Sequence, residues 1–510
     1  MADSSPGART AGGAASAGVA GAVVALGVTQ LISALVSPAS DARAAVGAAV
    51  IDLTPGPVKE WAIQTFGTAD KLFLSTMVVL VIIIVAALAA TRERSRLPLG
   101  SLALLVLGAA GCAAVLIRPA AVPLDVVPTV LGTGCGIAVL RHLAASVEDR
   151  GTRATDAGRR RSLQTLAFLG LGSAAGVGGV LASRRLQSVA GEVETAVLPP
   201  VAQPVPQIPP DVQPPLPGLP RFITGNADFY RIDTALRVPQ LSRGDWTLRI
   251  HGMVGRELTY SFADLQRFEP VQKAVTLTCV SNPIGGDLIS NAVWTGYRMR
   301  DLLREADIAA DADMVLSTSV DGFTIGTPVE ALTDERDALL AIGMNGVPLP
   351  AEHGYPARLV VPGLYGFVSA TKWVVDLELT RFDRAEAYWT KLGWSARAPI
   401  KTGSRIDVPR AGQRLDAGPV TLGGVAWAQG RGITAVEVRI DDADWRPAKL
   451  GAAYSKDTWR LWTFDWQATP GPHTITVRAT DNTGTVQTAD RSSPIPDGAT
   501  GWPSITVDVR

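Results

Sequence analysis

The chain has 510 residues, a formal net charge of zero and a hydrophobic content of 47%. The length exceeds that of one ordinary domain, and the balanced charge argues against a nucleic-acid partner. Three cysteines exclude a disulfide framework, and four histidines leave little material for a zinc site.

The first 190 residues contain five long apolar segments. Each is long enough to cross the hydrocarbon core of a bilayer. The segments lie at about residues 17–37, 72–90, 100–117, 123–141 and 163–182. We therefore predict an N-terminal α-helical transmembrane bundle over residues 1–190. The polar connection at 46–71 is predicted to be a surface loop or a re-entrant segment.

Arginines between the apolar segments predict the orientation of the bundle. One group follows the second segment and another lies between the fourth and the fifth: Arg92, Arg94, Arg96, Arg141, Arg150, Arg153, Arg159, Arg160 and Arg161. Because basic loops remain in the cytoplasm, both groups and the amino terminus are predicted to be cytoplasmic. Five crossings then place the chain after residue 185 outside the cytoplasm.

Arg160 and Arg161 also support a second interpretation. The sequence GRRRSLQTLAFLGLGSAAGVGGVLASRR places an arginine pair before a mildly apolar segment, which is typical of a twin-arginine (Tat) export signal. On these residues alone, the export signal and the positive-inside rule explain the arginines equally well.

Residues 197–220 contain ten prolines. Such a composition favours extended polyproline II structure, which acts as a semi-rigid spacer. We predict that residues 191–220 form a linker that separates the membrane anchor from the rest of the chain.

From residue 221 the sequence has a mixed α and β pattern. Alternating apolar residues predict strands, and MRDLLREADI (299–308) predicts an amphipathic helix. The predicted strands are DWTLRIHGMV (245–254), KAVTLTCV (273–280), ARLVVPG (357–363) and KWVVDLEL (372–379). Long glycine-rich connections between them are typical of a binding site.

Cys279 ends the second of these strands and is the only cysteine after residue 135. Its thiol could be a buried apolar group, a nucleophile with His353 as its base, or a soft metal ligand at a rigid strand end. One cysteine cannot hold zinc or an iron–sulfur cluster alone. It can complete the coordination of a metal that an organic cofactor mainly holds. The spacing leaves the three roles open.

Four stretches in the soluble half carry a family resemblance. They are TGNADFYRIDTAL (224–236), VTLTCVSNPIGGDLISNAVWTGYRMRDLL (275–303), STSVDGF (317–323) and MNGVPLPAEHGYPARLVVPGLYGFVSATKW (344–373). Together they resemble the molybdopterin-binding domain of the sulfite oxidase family. The resemblance implies an α+β molybdopterin domain over residues 221–394 and a molybdenum–molybdopterin cofactor (Moco). It also implies that the Cys279 thiolate is the catalytic metal ligand.

The same resemblance implies further cofactor contacts, matched motif by motif. They are Asn226, Tyr230, Arg231, His353, Arg358, Ser369, Thr371 and Lys372. Ser319 is added only from its distance beyond Cys279. The guanidinium of Arg358 is suited to bind the cofactor phosphate through several hydrogen-bond donors.

Two departures from the family pattern concern the substrate. Animal and plant sulfite oxidases have a basic stretch after the cysteine, where this chain has Pro283–Gly286. Their substrate-site tyrosine corresponds to Ile342. A site that lacks both the positive charge and the phenol is poorly suited to sulfite. The substrate therefore stays open between sulfite and an S- or N-oxide.

After about residue 395 short strands alternate with turns and tryptophans, as in GPVTLGGVAWAQ and TWRLWTFDWQATPGPHTITVRATDNTG. This pattern predicts an immunoglobulin-like β-sandwich over residues 395–510. The region also resembles the family's carboxy-terminal dimerisation domain, which implies a homodimer.

The favoured hypothesis is a multi-domain, membrane-anchored molybdenum oxidoreductase whose catalytic half lies outside the cytoplasm. It would catalyse two-electron oxygen-atom transfer on a small-molecule or sulfoxide-type substrate. It would exchange electrons with a separate cytochrome or quinone-linked protein. The alternative is a non-catalytic surface binding or adhesion module on a membrane stalk.

Replacing Arg160 and Arg161 with lysine distinguishes the two interpretations of the arginine pair. The cofactor is made in the cytoplasm, so a domain that folds around it must cross the membrane folded, which favours Tat export. The lysine pair keeps the charge that the positive-inside rule requires. We expect the soluble half of this variant to stay in the cytoplasm, as measured by protease accessibility. Normal export of an active variant would defeat the Tat hypothesis.

Overall fold

The computed structural model describes residues 6–55, 58, 61, 65, 70–94, 97–118, 121–148, 154–186, 188–202 and 204–510. Arg96, Arg150 and Arg153, which contributed to the predicted orientation, lie outside the described residues. The chain divides into two compact units. Unit 1 comprises Met1–Val189 and Ala235–Gln240, and unit 2 comprises Ala190–Thr234 and Leu241–Arg510.

Unit 1 is a bundle of helices with one short ribbon between two of them. The helices are α1 (Pro6–Val36), α2 (Ala42–Leu53), α3 (Asp70–Ala90), α4 (Leu99–Leu116), α5 (Val127–Glu148) and α6 (Ala154–Leu186), and the ribbon is β1 (Glu93–Arg94) with β2 (Leu97–Pro98). Five helices are long and apolar enough to cross a membrane. They coincide with the five predicted segments.

The connection predicted as a loop at 46–71 begins inside helix α2. Asp41 caps this helix, because its Oδ1 accepts hydrogen bonds from the backbone N–H groups of Arg43 (3.1 Å) and Ala44 (3.2 Å). Ala42 and Ala45 are buried on its inner face. The loop prediction is therefore wrong for residues 46–53, where small buried residues and a cap outweigh the polar composition.

Close helix packing in unit 1 depends on glycine. A Cβ on Gly27 would collide with the carbonyl oxygen of Gly172, and a Cβ on Gly18 would collide with that of Ala86. Small residues at helix crossings allow two helix backbones to approach closely. This packing explains why the first and fifth segments are rich in glycine and alanine.

The proline-rich segment packs along the rest of unit 2. Val212 is 2% exposed and belongs to the hydrophobic core of that unit. Tyr454 Oη donates to the Pro206 carbonyl oxygen (2.6 Å), and the Ala452 N–H donates to that of Asp211 (2.9 Å). Part of the proline-rich segment is therefore packed against unit 2, and the linker boundaries at residues 191–220 stay a prediction.

Two sheets form the first half of unit 2, here called the α+β half, and this class agrees with the prediction. The first has the order β10–β9–β6–β5 with β11 also paired to β9, and the second has the order β4–β3–β12–β7–β8. Their elements are β3 (Thr247–Gly252), β4 (Leu258–Ser261), β5 (Pro270–Thr278), β6 (Ile289–Arg298), β7 (Met314–Ser319), β8 (Thr324–Pro328), β9 (Leu339–Met344), β10 (Val347–Pro348), β11 (Arg358–Val360) and β12 (Val374–Thr380). The helices of unit 2 are α7 (Ala190–Thr195), α8 (Met299–Arg304) and α9 (Val329–Thr333).

Two further sheets form the carboxy-terminal sandwich, as the alternation of short strands predicted. Their orders are β13–β15–β19–β18 and β14–β21–β20–β16–β17. The strands are β13 (Gly403–Val408), β14 (Arg414–Leu415), β15 (Gly418–Trp427), β16 (Ile433–Ile440), β17 (Arg446–Pro447), β18 (Lys449–Leu450), β19 (Arg460–Ala468), β20 (Gly471–Asp481) and β21 (Ser504–Val509). Val436, Trp462 and Ile475 are buried between the sheets.

Buried hydrogen bonds join the sandwich to the α+β half of unit 2. The backbone N–H of Trp459 donates to Thr276 Oγ1 (2.8 Å), and its indole Nε1 donates to the Phe222 carbonyl oxygen (2.9 Å). Gln429 Nε2 donates to Thr278 Oγ1 (2.9 Å). Because such buried donors are costly to leave without partners, the two parts stabilise each other.

Reporter fusions test the topology that the five helices suggest. A phosphatase fused after residue 190 is expected to be active, and the same enzyme fused after residue 148 is expected to be inactive, because it folds only outside the cytoplasm. A fluorescent protein that matures only in the cytoplasm is the matched control and should give the opposite pattern. The reverse result with both reporters would overturn the predicted localisation.

Candidate functional site

Cys279 follows β5 directly and begins the connection to β6. Its backbone N–H donates to the Leu288 carbonyl oxygen (2.9 Å), and its carbonyl oxygen accepts from the Asn282 N–H (3.2 Å). The turn after the cysteine is closely packed, because a Cβ on Gly286 would collide with Asn282 Oδ1. Cys279 is buried. The sulfur is therefore held at a rigid strand end, as the metal-ligand hypothesis requires.

Arg358 is the first residue of β11 and is 5% exposed. Its Nη1 donates to the His353 carbonyl oxygen (3.1 Å), and its guanidinium lies over the Trp294 ring at 5.1 Å. Burial lowers the pKa of Arg358 to about 10. No carboxylate of the described residues forms an ion pair with it, although a buried cation is costly without a counter-charge. A bound anion would supply the missing counter-charge and so explain why Arg358 is buried.

Two further cations share one carboxylate. Arg231 Nε and Lys372 Nζ both contact Asp233 Oδ2, at 2.9 and 2.8 Å. The Asp233 and Lys372 side chains are both nearly buried. Burial lowers the pKa of Lys372 to about 8 against the opposing effect of Asp233. At neutral pH the cations of this cluster therefore outnumber the carboxylates paired with them.

His353 is buried and neutral. Its Nε2 lies 2.9 Å from the Asn226 carbonyl oxygen, so the neutral ring carries its hydrogen on Nε2 and donates there. Burial, together with the charges of Arg358 and Lys372, lowers the pKa of His353 to about 4. Asn226 Oδ1 accepts a hydrogen bond from Asn345 Nδ2 (2.7 Å), which joins the loop that contains Asn226 to the turn at residues 344–346. A histidine held this way is a poor general base at neutral pH.

Two tyrosines lie close to Cys279. Burial, and secondarily the charge of the Cys279 thiolate, raises the pKa of Tyr230. Burial raises the pKa of Tyr365 to about 12, and neighbouring negative charges including Cys279 add to the effect. A Cβ on Gly366 would lie 3.8 Å from both the Thr278 carbonyl oxygen and Tyr230 Oη. The turn at Tyr365 thus lies against the strand end, and both phenols remain protonated donors.

The predicted hydroxyl contacts divide into two kinds. Ser319 ends β7, is 3% exposed, and its Oγ has no hydrogen-bond partner among the described residues. Ser369 Oγ instead donates to carbonyl oxygens of its own loop, at 2.9 and 3.2 Å. Thr371 Oγ1 lies 2.6 Å from Ser317 Oγ. Ser369 and Thr371 shape their loops, and a direct cofactor contact by either one stays a prediction.

Sequence reasoning did not identify three residues of this site. Trp294 supports the Arg358 guanidinium, Asp233 joins the two outer cations, and Tyr365 faces the cysteine. Asp233 and Trp294 lie within the stretches quoted above, and a carboxylate two residues after the predicted cofactor contact Arg231 was an available signal. Nothing in the local pattern distinguished Tyr365.

The residues fit a cofactor of the molybdopterin type. Its dithiolene and phosphate carry negative charge, which the cluster of Arg231, Lys372 and Arg358 would compensate. The buried Ser319 hydroxyl would gain the hydrogen-bond partner that it lacks among the described residues. Cys279 offers the soft thiolate that completes a sulfur-rich coordination.

Comparisons with known proteins agree with this chemistry. Residues 235–389 match the oxidoreductase molybdopterin-binding domain, and residues 404–477 match a bacterial Ig domain. Human mitochondrial sulfite oxidase is 29% identical over 288 residues, which are 47% of this chain and 52% of that protein. The chain thus spans about half the length of that relative.

Two more relatives extend the comparison. An uncharacterized oxidoreductase of Bacillus subtilis is 32% identical over 152 residues, which are 30% of this chain and 73% of that protein. The crystal structure of the sulfane dehydrogenase SoxCD from Paracoccus pantotrophus aligns with a TM-score of 0.47 and 26% identity, over 52% of this chain and 74% of that one. The domain match and the sequence relatives, taken with the cysteine and the cationic cluster, lead to one conclusion: the chain belongs to the sulfite oxidase family of molybdopterin-dependent oxidoreductases.

Proposed function

We propose that this protein is a membrane-anchored molybdenum oxidoreductase that catalyses two-electron oxygen-atom transfer on a small sulfur- or nitrogen-containing substrate. When bound, the molybdenum cofactor supplies the redox and oxygen-transfer chemistry. The observation that carries the proposal is Arg358, a buried cation without a carboxylate partner among the described residues. A protein retains such a group where it binds an anion.

The roles of the chain's own residues follow from their contacts. Cys279 would hold the metal through its thiolate, and Arg358 with Lys372 would bind the anionic pterin. The neutral His353 fixes the first loop through its bond to the Asn226 carbonyl oxygen. Tyr230 stays protonated, because burial raises its pKa, and would be available as a hydrogen-bond donor beside Cys279. Because these residues are buried, water is excluded from the site and each electrostatic contact between them is strengthened.

Localisation and partners are part of the same proposal. Five helices that are long and apolar enough to span a bilayer, together with the arginines between them, support a multi-pass membrane protein with its catalytic half outside the cytoplasm. Electrons would pass to or from a separate cytochrome or quinone-linked protein. The sandwich domain is the proposed surface of a homodimer.

Metal analysis combined with a substrate panel tests the proposed function. Protein matured in a host that makes molybdopterin is expected to hold close to one molybdenum per chain. It should turn over with artificial electron donors or acceptors on sulfite, S-oxides or N-oxides. Absence of both metal and turnover would instead support a non-catalytic binding module on a membrane stalk.

Cys279→Ser is expected to abolish turnover while the chain still folds and binds pterin. The harder alkoxide is a poor replacement for a thiolate at this metal. Pterin content is measured by the fluorescence of its oxidised form, and molybdenum by elemental analysis. Cys112→Ser, a change in unit 1, is the matched control and should keep activity. Substantial turnover by Cys279→Ser would remove this residue from the mechanism.

Arg358→Met is expected to affect stability and cofactor content in opposite directions. Removing a buried cation without a counter-charge should raise the unfolding free energy of cofactor-free protein by about 1–3 kcal/mol. Cofactor content should fall below about a tenth of normal, because the anion loses its buried partner. Urea unfolding is followed by tryptophan fluorescence, which reports on unit 2 because all of the 12 tryptophans except Trp61 belong to it.

The exposed Arg304, which pairs with Asp301 on helix α8, provides the matched control. Arg304→Met should change stability by less than about 0.5 kcal/mol and leave the cofactor content unchanged. If Arg358→Met destabilised the cofactor-free protein and left its cofactor content normal, Arg358 would have a structural role and the site assignment would be wrong.

A further inference from the structure

A cleft lies beside Cys279 within unit 2, between the molybdopterin domain and the sandwich domain. Thr278 and Asn282, close to the cysteine in sequence, line one side of it. Trp427 and Gln487 of the sandwich line the other side. A molecule in this cleft would therefore contact both domains next to the metal-ligand residue.

Tyr365 also lines the cleft and supplies a phenol there. No carbonyl or carboxylate of the described residues accepts the hydrogen of its hydroxyl, which leaves that hydrogen available to a molecule in the cleft. The hydroxyl lies against Gly498, where a Cβ would be only 2.6 Å from Oη. The position at which sulfite oxidases carry their phenol is Ile342, which is buried in β9. Tyr365 thus presents a phenol to the cleft from a different loop.

The cations around the cleft already have partners. The ion pairs are Lys401–Asp497 (2.7 Å), Arg405–Asp407 (2.9 Å) and Arg431–Asp481 (2.8 Å). Lys401 is the one charged side chain among the described residues that line the cleft. Arg491 lies nearby but is exposed, with Nη1 3.5 Å from the Trp502 carbonyl oxygen. An anion that entered would lose hydration without gaining a counter-charge, whereas a neutral molecule would lose little.

We propose that this cleft selects a neutral oxide, a small S-oxide or N-oxide whose oxygen accepts a hydrogen bond from Tyr365, and that the Lys401–Asp497 pair keeps oxyanions out. The inference rests on the proposed function and names its substrate class. Tyr365 contacts the substrate, and Asp497 determines specificity by neutralising Lys401. The wall contributed by the sandwich makes that domain part of substrate recognition.

Equilibrium binding to the oxidised, molybdenum-loaded, full-length protein tests this inference. Dimethyl sulfoxide and sulfate serve as the neutral and anionic probes, because neither turns over on the oxidised form, and binding is measured by calorimetric titration. Wild-type protein is expected to bind dimethyl sulfoxide at least about tenfold more tightly than sulfate. Tyr365→Phe should weaken dimethyl sulfoxide binding about three- to tenfold with molybdenum content unchanged, because one hydrogen bond is lost.

Asp497→Asn provides the second arm, because it leaves the Lys401 charge without its partner. Sulfate affinity should rise about tenfold at low ionic strength and fall again with added salt, while dimethyl sulfoxide affinity changes less than about twofold. Tighter binding of sulfate than of dimethyl sulfoxide by loaded wild-type protein would overturn the inference and leave the proposed function intact. So would unchanged dimethyl sulfoxide binding in Tyr365→Phe. A chain that never holds molybdenum would overturn the proposed function itself.

Discussion

The site depends on buried positive charge that the described part of the protein does not neutralise. Arg358 begins β11, which pairs with β9, and its guanidinium lies against Trp294. Lys372 shares Asp233 with Arg231, so these cations are held in place at an electrostatic cost. A ligand that compensates this cost binds the folded state alone and therefore also stabilises it. Cofactor binding and folding of unit 2 are linked for this reason, and the cationic loops have little freedom to change independently of the cofactor.

Much of the architecture could be predicted from residue patterns because hydropathy and alternation are local properties. The five apolar helices, the strand before Cys279 and the carboxy-terminal sandwich follow from such patterns. Helix α2 does not, because its formation depends on the Asp41 cap and on small residues that pack against neighbours. Similarly, proline content indicates a backbone conformation but not the surface, around Val212, against which that backbone packs.

The candidate site residues were also predicted from local patterns, and their roles stay predictions. Motifs located Cys279, His353 and Arg358, because their spacing is carried by contiguous sequence. Whether a hydroxyl is available depends on its neighbours in space, and Ser369 turned out to donate within its own loop while Ser319 has no partner among the described residues. Tyr365 needed the three-dimensional structure, since its relation to the cysteine arises from two loops that are distant in sequence.

The hydrogen bond between Trp459 and Phe222 joins two parts of unit 2 that are distant in sequence. The two residues are 237 positions apart, and Asn291 Nδ2 donates to the same Phe222 carbonyl oxygen (2.8 Å). The loop that contains Asn226 begins only a few residues after Phe222. The hydrogen bonds that hold the start of this loop are therefore complete only after the sandwich has been synthesised. Contacts this distant form late in folding, because the intervening chain must first be ordered. A chain truncated within the sandwich would therefore lack a finished cofactor site, although every residue assigned to hold the cofactor precedes the truncation.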